Sequence, residues 1–592
     1  MCGIHLQVLL AKKSSNPNES CCCARSFRSL KANGNVIRRG PDHSQVIQME
    51  YQGVEIFLQS SVLQMRHDLI SQPRSIQKSD SASFLCWNGE VYQALDDTND
   101  DNNDGDDGDN DHPNVVKHTN QLLHDVWQYD QSDTQYVAQL LSKGIENDIN
   151  QRKTSSLLKT VTHTLSHLLN AEYAIVILTH EAIYFGRDPW GRRSLLRSDC
   201  DACGSFTICS VVADEQPSTC TTWMELPPGQ ITEYQFRSNT WQTMDLLIPN
   251  RPPCLPSLIG ASLHPPPPPP GVSPDCWQAS LWLEECLTRA VNMRLDHSGR
   301  RPTAVLFSGG LDSVVLAAIA IQQTNRKNNN QNPIIILSNV SFGPDYAKSA
   351  DRQAALISYK VLQEKFPNQT IHYEDIVVDW EEMIVAEPHI RTLLYPKTTL
   401  MDVNIATALW FASRGKYKGD DADDDDGKNN NNSNSKHKDD QVHAWLPPRV
   451  LLLGMGADEQ MGGYGRHRKA FQKHGEQGLL QELQLDQARL WERNLGRDDR
   501  ICADHGKEAR FPYLDVHVTN LLRSLPLEHV CDFSLPPGQG DKLILRLVAK
   551  RMGLDVASGL VKRAIQFGSR ISHLSDVKRF GSRRKARGEA DV

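Results

Sequence analysis

Ala304-Val305-Leu306-Phe307-Ser308-Gly309-Gly310-Leu311-Asp312-Ser313, followed by the apolar run Val314 to Ile321, decides how this chain is read. The four apolar residues predict a buried strand, the two glycines a tight turn, and the run after them a buried helix. Glycine lets the backbone approach a ligand closely and adopt positive φ. The first N–H groups of a helix lack intrahelical partners and lie at the positive end of its dipole, so a strand–turn–helix unit of this kind makes an anion site. Ser308 and Ser313 add hydroxyl donors. No lysine follows the glycines, which separates this phosphate loop from a Walker A motif.

The same pattern continues around it. Apolar runs at Ile334–Leu337 and Val450–Leu453 alternate with helix-period segments, predicting βαβ units on a parallel sheet. After the third run comes Gly454-Met455-Gly456-Ala457-Asp458-Glu459-Gln460-Met461-Gly462-Gly463-Tyr464. Glycines at the carboxyl end of a parallel strand line the ligand crevice of an open α/β sheet, and Asp458 is a candidate metal ligand beside Asp312. A tight turn with a helix-capping aspartate is the plainer alternative. Nearer the N-terminus, short runs at 54–58, 83–87, 174–178 and 206–209 predict strands. Helical patterns lie near 28–33, 135–142 and 154–169. This part of the chain is expected to be α+β, with layered sheets.

The chain has 592 residues, 39% of them hydrophobic and 23% charged, which is ample for several cores and excludes wholesale disorder. No run of about 18 apolar residues occurs, so no membrane helix is expected. The start lacks a basic region and a long apolar region, so no secretory signal and a cytoplasmic location are expected. Residues 96–111 hold nine Asp and no basic residue, and residues 419–440 carry a net −5. Removing both from the net charge of −8 leaves the rest at +6, so the acidity is local. The acidic stretches 96–114 and 419–440 read as surface insertions, and the Pro-rich stretch from 251, with six prolines at 265–270, as an extended linker. The last fifteen residues hold six basic and two acidic residues and read as a solvated tail. The 14 cysteines show no framework spacing, and Cys200 and Cys203 form a CxxC without the second pair a zinc site needs, so reduced thiols are expected.

Cys2 becomes the first residue if Met1 is removed. Its own α-amino group, titrating near pH 8, would then be a base placed beside the thiol. A thiol that attacks an amide needs donors for the oxyanion, and Asn88-Gly89 offers a side-chain amide and a backbone N–H. An inert thiol is the reading Cys2 would have in isolation.

Ser308 to Ser313 match SGGxDS, and the segment resembles the pyrophosphate loop of the N-type ATP pyrophosphatases. The resemblance implies ATP cleaved between its α and β phosphates, with Asp312 holding Mg²⁺ against the pyrophosphate. Met1-Cys2-Gly3-Ile4, Arg39-Gly40-Pro41-Asp42, Asn88-Gly89-Glu90-Val91-Tyr92 and Gly186-Arg187-Asp188-Pro189-Trp190-Gly191-Arg192-Arg193 occur in that order and resemble the N-terminal-nucleophile, class II glutamine amidotransferases. Carried over, Cys2 is nucleophile and base, Asn88 and Gly89 form the oxyanion hole, and Glu90 and Asp133 join them in binding glutamine, Asp133 gripping its amino group.

The two halves together, with Arg497-Asp498-Asp499-Arg500, Glu508 to Asp515 and Lys542-Leu543-Ile544-Leu545-Arg546, resemble the glutamine-dependent asparagine synthetase family. The resemblance implies an α+β glutaminase domain of stacked antiparallel sheets over 2–250, a Pro-rich linker over 251–275, an α/β PP-loop domain with a parallel sheet over 276–575, and a basic tail over 576–592. It implies that glutamine, aspartate and ATP become asparagine, glutamate, AMP and pyrophosphate. Lys542 would neutralise charge on the adenylate or pyrophosphate, and Leu306, Val340 and Gly454 would line the nucleotide with Ser308, Gly309, Gly310 and Ser313. Two positions depart from the family. Met455 stands where a Glu is expected, and a thioether is neither a proton acceptor at neutral pH nor a strong cation ligand. Ser61 stands where an Arg would hold the glutamine α-carboxylate, and Arg66, an odd offset away along the strand, points to the opposite face. Activation of another carboxylate, or a fold kept for binding with little turnover, are the competing readings. The chain carries no basic RNA-binding module, so a nucleic-acid partner is not expected.

Overall fold

Alternation of side chains across a strand puts every second residue on one face, and β1 (Cys2–Leu10) uses it fully: Ile4, Leu6 and Val8 all enter one buried core. In the computed structural model, residues 2–10, 32–51, 53–65, 71–76, 83–95, 123–125, 132–150, 156–168, 170–200, 204–213, 221–247, 267–296, 301–327, 334–416, 446–561 and 563–580 are described. They form two compact units, Met1–Pro252 with Trp491–Gly496, and Pro253–Leu490 with Arg497–Val592.

In the first unit β1 is followed by β2 (His43–Tyr51), β3 (Val54–Val62), β4 (Arg74–Ser75), β5 (Phe84–Leu95), β6 (Leu123–Asp125) and β7 (Asn170–Leu178). Then come β8 (Ala182–Arg187), β9 (Leu196–Cys200), β10 (Phe206–Cys209), β11 (Thr221–Glu225), β12 (Gln230–Gln235) and β13 (Thr240–Asp245). They build two antiparallel sheets, ordered β11-β9-β10-β1-β3-β2 and β13-β12-β8-β7-β5-β4, with β6 also paired to β5. β7 explains the layering. Its Ala174, Val176 and Leu178 join Ile4, Leu6, Ile56 and Leu58 of the other sheet, while Tyr173, Ile175 and Ile177 face the helices Asp133–Asn150 and Leu157–Ser166 through Val137, Leu141, Val161 and Leu165. A strand apolar on both faces is buried on both faces. Most of the helical pattern read near 28–33 lies outside the described residues, and a helix follows at Gly34–Arg39. Asn33 starts it by accepting the N–H groups of Asn35 and Val36, which fixes the first turn after the asparagine.

The second unit holds a five-stranded parallel sheet of β14 (Thr303–Leu306), β15 (Ile335–Phe342), β16 (Ile371–Val378), β17 (Val450–Leu452) and β18 (Glu508–Arg510), ordered β16-β15-β14-β17-β18. The α+β and α/β expectations both hold. β14 is flanked by β15 on one side and β17 on the other, so the strand order reverses at its carboxyl end, where open α/β sheets bind ligands. The helix Leu311–Lys327 that follows β14 is buried all round from Val314 to Ile321. The acidic insertions, most of the linker and most of the basic tail lie outside the described residues. No helix among the described residues is long and apolar enough to cross a membrane.

Candidate functional site

β1 begins at Cys2, and its buried N–H reaches out of its own sheet to Asn88 Oδ1 on β5 at 3.0 Å. A backbone N–H can only donate, so this bond fixes which end of the Asn88 amide faces Cys2. The other end, Nδ2, is buried with no hydrogen-bond partner among the described residues. An unspent buried donor costs stability, and here it lies on the residue that touches the candidate nucleophile. Gly89 follows because nothing larger fits: a Cβ there would sit 2.1 Å from Glu172 O across the sheet.

Gln72 Nε2 lies 3.6 Å from Cys2 Sγ and 2.9 Å from Thr134 Oγ1, while its Oε1 accepts Trp87 N–H at 2.8 Å. Asp133 is the half-buried first residue of the helix that carries Thr134, and Glu90 is buried on β5. Gly3 N–H donates to Ser61 Oγ at 3.1 Å, and Ser61 donates to Val36 O. Ser61 is wholly buried between β1 and the helix Gly34–Arg39, which accounts for a small hydroxyl at that position. Arg66 lies outside the described residues. Asp42 of the Arg39–Asp42 segment accepts Gln64 N–H at 2.7 Å, and its own N–H donates to Val62 O, the residue paired with Cys2. Asp188 accepts N–H groups of Tyr173, Trp190 and Arg192 at 3.0–3.2 Å and 2.9 Å, and Arg193 meets Glu172 at 3.2 Å. Both segments, picked out by sequence, brace the strands beside Cys2 and Gly89. Gln72 and Thr134 were missed. Gln72 stood in the sequence only before Pro73, and contacts spanning 62 and 70 residues leave no local pattern.

In the second unit the glycine loop follows β14. Gly309 has φ of +72°, and a Cβ there would lie 2.1 Å from Ala355 N, so both space and conformation demand glycine. Ser308 Oγ accepts Gly310 N–H at 3.3 Å, and Ser313 Oγ lies 3.5 Å away. Lys542 Nζ meets both Asp312 oxygens, at 2.7 and 2.6 Å, and Asp458 Oδ1 at 2.6 Å. All three side chains are buried. Lys542 has φ of +52° at the start of the helix Leu543–Arg551, and its N–H is held by Met461 O. Gly463 makes room: a Cβ there would fall 1.8 Å from Asp458 Oδ1 and 2.4 Å from Lys542 Cε. Tyr513 Oη donates to Asp312 O at 3.0 Å, and burial followed by the nearby Asp312 and Asp458 pushes this phenol well above its usual pKa. It stays a donor, a role sequence reading missed.

Gly454 packs against Asp312, its would-be Cβ 3.1 Å from Asp312 Cβ. Val340 is buried and Leu306 partly so, in one apolar cluster at the carboxyl ends of β14 and β15. Met455 is half-buried. A cation between two buried carboxylates is the arrangement a divalent metal would replace. Among the described residues no group of three or more His, Cys, Asp or Glu could hold a metal unaided. Two carboxylates fit Mg²⁺, which takes its other ligands from phosphate oxygens and water.

The chain is similar to several known proteins. Residues 283–397 and 470–554 match the asparagine synthase family model. The chain is 39% identical over 308 residues to asparagine synthetase domain-containing protein 1 of Gallus gallus, covering 46% of each. The Homo sapiens protein of that name is 35% identical over 333 residues, covering 49% of each. The chain thus spans about half the length of these curated relatives. An asparagine synthetase domain-containing protein of Saccharomyces cerevisiae is 29% identical over 556 residues, covering 91% of this chain and 88% of that one. Among solved structures, the glutamine phosphoribosylpyrophosphate amidotransferase of B. subtilis is 13% identical with a TM-score of 0.27, covering 63% of this chain and 90% of that one. In residues 283–397 and 470–554, the chain is thus similar to the asparagine synthase family.

Proposed function

We propose that the chain is a glutamine-hydrolysing, amide-forming ligase of the asparagine synthetase type. The observation that carries this reading is the buried Asp312–Lys542–Asp458 triad, joined to the glycine loop where the strand order of the parallel sheet reverses. In the first unit, Cys2 Sγ attacks the amide carbon of glutamine, and its proton goes to the α-amine freed by removal of Met1. The oxyanion takes the unspent Nδ2 donor of Asn88 and the Gly89 N–H. Ammonia leaves, and water releases glutamate from the thioester. Glu90 and Asp133 bind the glutamine.

In the second unit, Ser308, Gly309, Gly310 and Ser313 hold the phosphates of ATP, with Leu306, Val340 and Gly454 along the nucleotide. The aspartate β-carboxylate bonds the α-phosphorus, pyrophosphate departs, and ammonia displaces AMP to give asparagine. Asp312 and Asp458 would hold Mg²⁺, which supplies charge neutralisation on the pyrophosphate. Lys542 serves the same charge from the protein side.

Met455 favours a second reading, in which another carboxylate is activated: without the family's Glu, no carboxylate stands between these glycines. Pyrophosphate release from ATP, measured across a panel of carboxylates, separates the two. Aspartate-dependent release that disappears in Asp312→Ala supports the first. Release only with a different acid supports the second. ATP binding without release for any acid overturns both.

A further inference from the structure

Gln72 belongs to no motif of the sequence, yet it joins three elements of the first unit. It is wholly buried, two residues before the edge strand β4, and its amide spans β1, β5 and the helix Asp133–Asn150. The orientation of that amide follows from one contact. Trp87 N–H can only donate, so the end it meets at 2.8 Å is the carbonyl oxygen. The NH₂ end is therefore the one directed at Cys2 Sγ, 3.6 Å away, and at Thr134 Oγ1, 2.9 Å away. Its two hydrogens have two acceptors, one of them the sulfur. A donor that is buried, aimed and held at three points favours the sulfur as an anion, because hydrogen bonds to a charged acceptor are about twice as strong as those to a neutral one.

We propose that Gln72 holds the Cys2 sulfur as a thiolate, donating a hydrogen bond to it while Trp87 N–H and Thr134 Oγ1 lock the amide. This rests on the reading of Cys2 as nucleophile. Gln72 transfers no proton; the thiol proton leaves to the α-amine or to water, and the amide N–H stabilises the charge left behind. The groups around the sulfur are compatible. Cys86, on the same face of β5 as Asn88, couples electrostatically to Cys2, and burial raises its pKa strongly, so it remains a neutral thiol. Asn88 is neutral. Asp133, next to Thr134, is the acidic residue in the first turn of the helix that anchors the amide. The Thr134 contact also ties the sulfur to the helix start at which Asp133 is expected to grip the substrate.

The test reads the thiolate directly. Alkylation of Cys2 by iodoacetamide in the full chain is followed by peptide mass spectrometry across pH, with buried Cys86 and Cys209 as reporters of unfolding. Gln72→Glu keeps the acceptor for Trp87 N–H and replaces the donor with an oxygen. Gln72→Met removes both polar ends at nearly constant volume. The midpoint of Cys2 alkylation should rise by about one pH unit or more in Gln72→Glu, with the rate at pH 7 down about tenfold or more, and by a smaller step in Gln72→Met. Midpoints and rates equal to the unmodified chain in both variants would overturn the assignment. A rise in midpoint in a chain that releases no glutamate would uphold Gln72 and count against the glutaminase reading, because alkylation needs no turnover.

Discussion

Asn88 combines two facts that rarely occur together at one buried side chain: one end of its amide is fixed by Cys2 and the other is unspent. If the unspent end is an oxyanion donor, Asn88→Ala lowers kcat for glutamate release by about 10²–10³, with KM changed far less, because the interaction exists only in the transition state. Steady-state glutaminase assays check this. Lys542 makes a prediction about stability. Removing it leaves Asp312 and Asp458 facing each other in a buried site, and breaking a buried ion pair from one side costs about 3–5 kcal/mol. Lys542→Met should lower the melting temperature of the metal-free chain, and millimolar Mg²⁺ should restore more of it than Mg²⁺ adds to the unmodified chain. Equal responses to Mg²⁺ in the two proteins would contradict the picture of Lys542 as the cation in the site.

Single elements show where sequence is a good guide and where it is not. The strand–turn–helix around Ser308–Ser313 was legible because every part of it is local: an apolar strand, a turn at Gly309 whose φ and close approach exclude a side chain, and a helix apolar on all sides. Short apolar runs likewise revealed β3, β5, β7 and β10. Contacts between distant segments were not legible. Gln72, Thr134, the hydroxyl of Tyr513 and the fit of Gly463 against Asp458 all depend on which elements become neighbours. β1 supplies a test at this scale. Asn33 Oδ1 is taken by the helix start, so Asn33 Nδ2 is the donor to His5 Nδ1 at 3.4 Å, and burial lowers the His5 pKa to about 4. A histidine whose folded pKa lies below its unfolded value of 6.5 destabilises the fold as pH drops from 6.5 towards 4, since the unfolded chain binds the proton first. Between pH 7 and 5 this amounts to about 1–2 kcal/mol. His5→Gln should remove that part of the acid sensitivity, read as the urea concentration at which Cys209, paired with His5, becomes reactive at each pH. An unchanged pH difference would contradict the assignment.

At the scale of the whole molecule, two units with different sheets carry two sets of groups. One surrounds a cysteine with an unspent amide donor, and the other sets a lysine between two aspartates beside a phosphate loop. The proposal that they run one reaction predicts that each half can be disabled separately. Cys2→Ala should abolish glutamine-dependent product while leaving ammonium-dependent product, and Asp312→Ala should abolish both while sparing glutamate release. The most direct measurement supplies amide-¹⁵N glutamine, ATP, Mg²⁺ and aspartate to the full chain and follows the label by mass spectrometry. The account predicts ¹⁵N in the side-chain amide of asparagine, absent in Cys2→Ala and replaced by unlabelled amide when that variant is given ordinary ammonium. Glutamate release with no label in any amide product, alongside ATP left uncleaved, would contradict it.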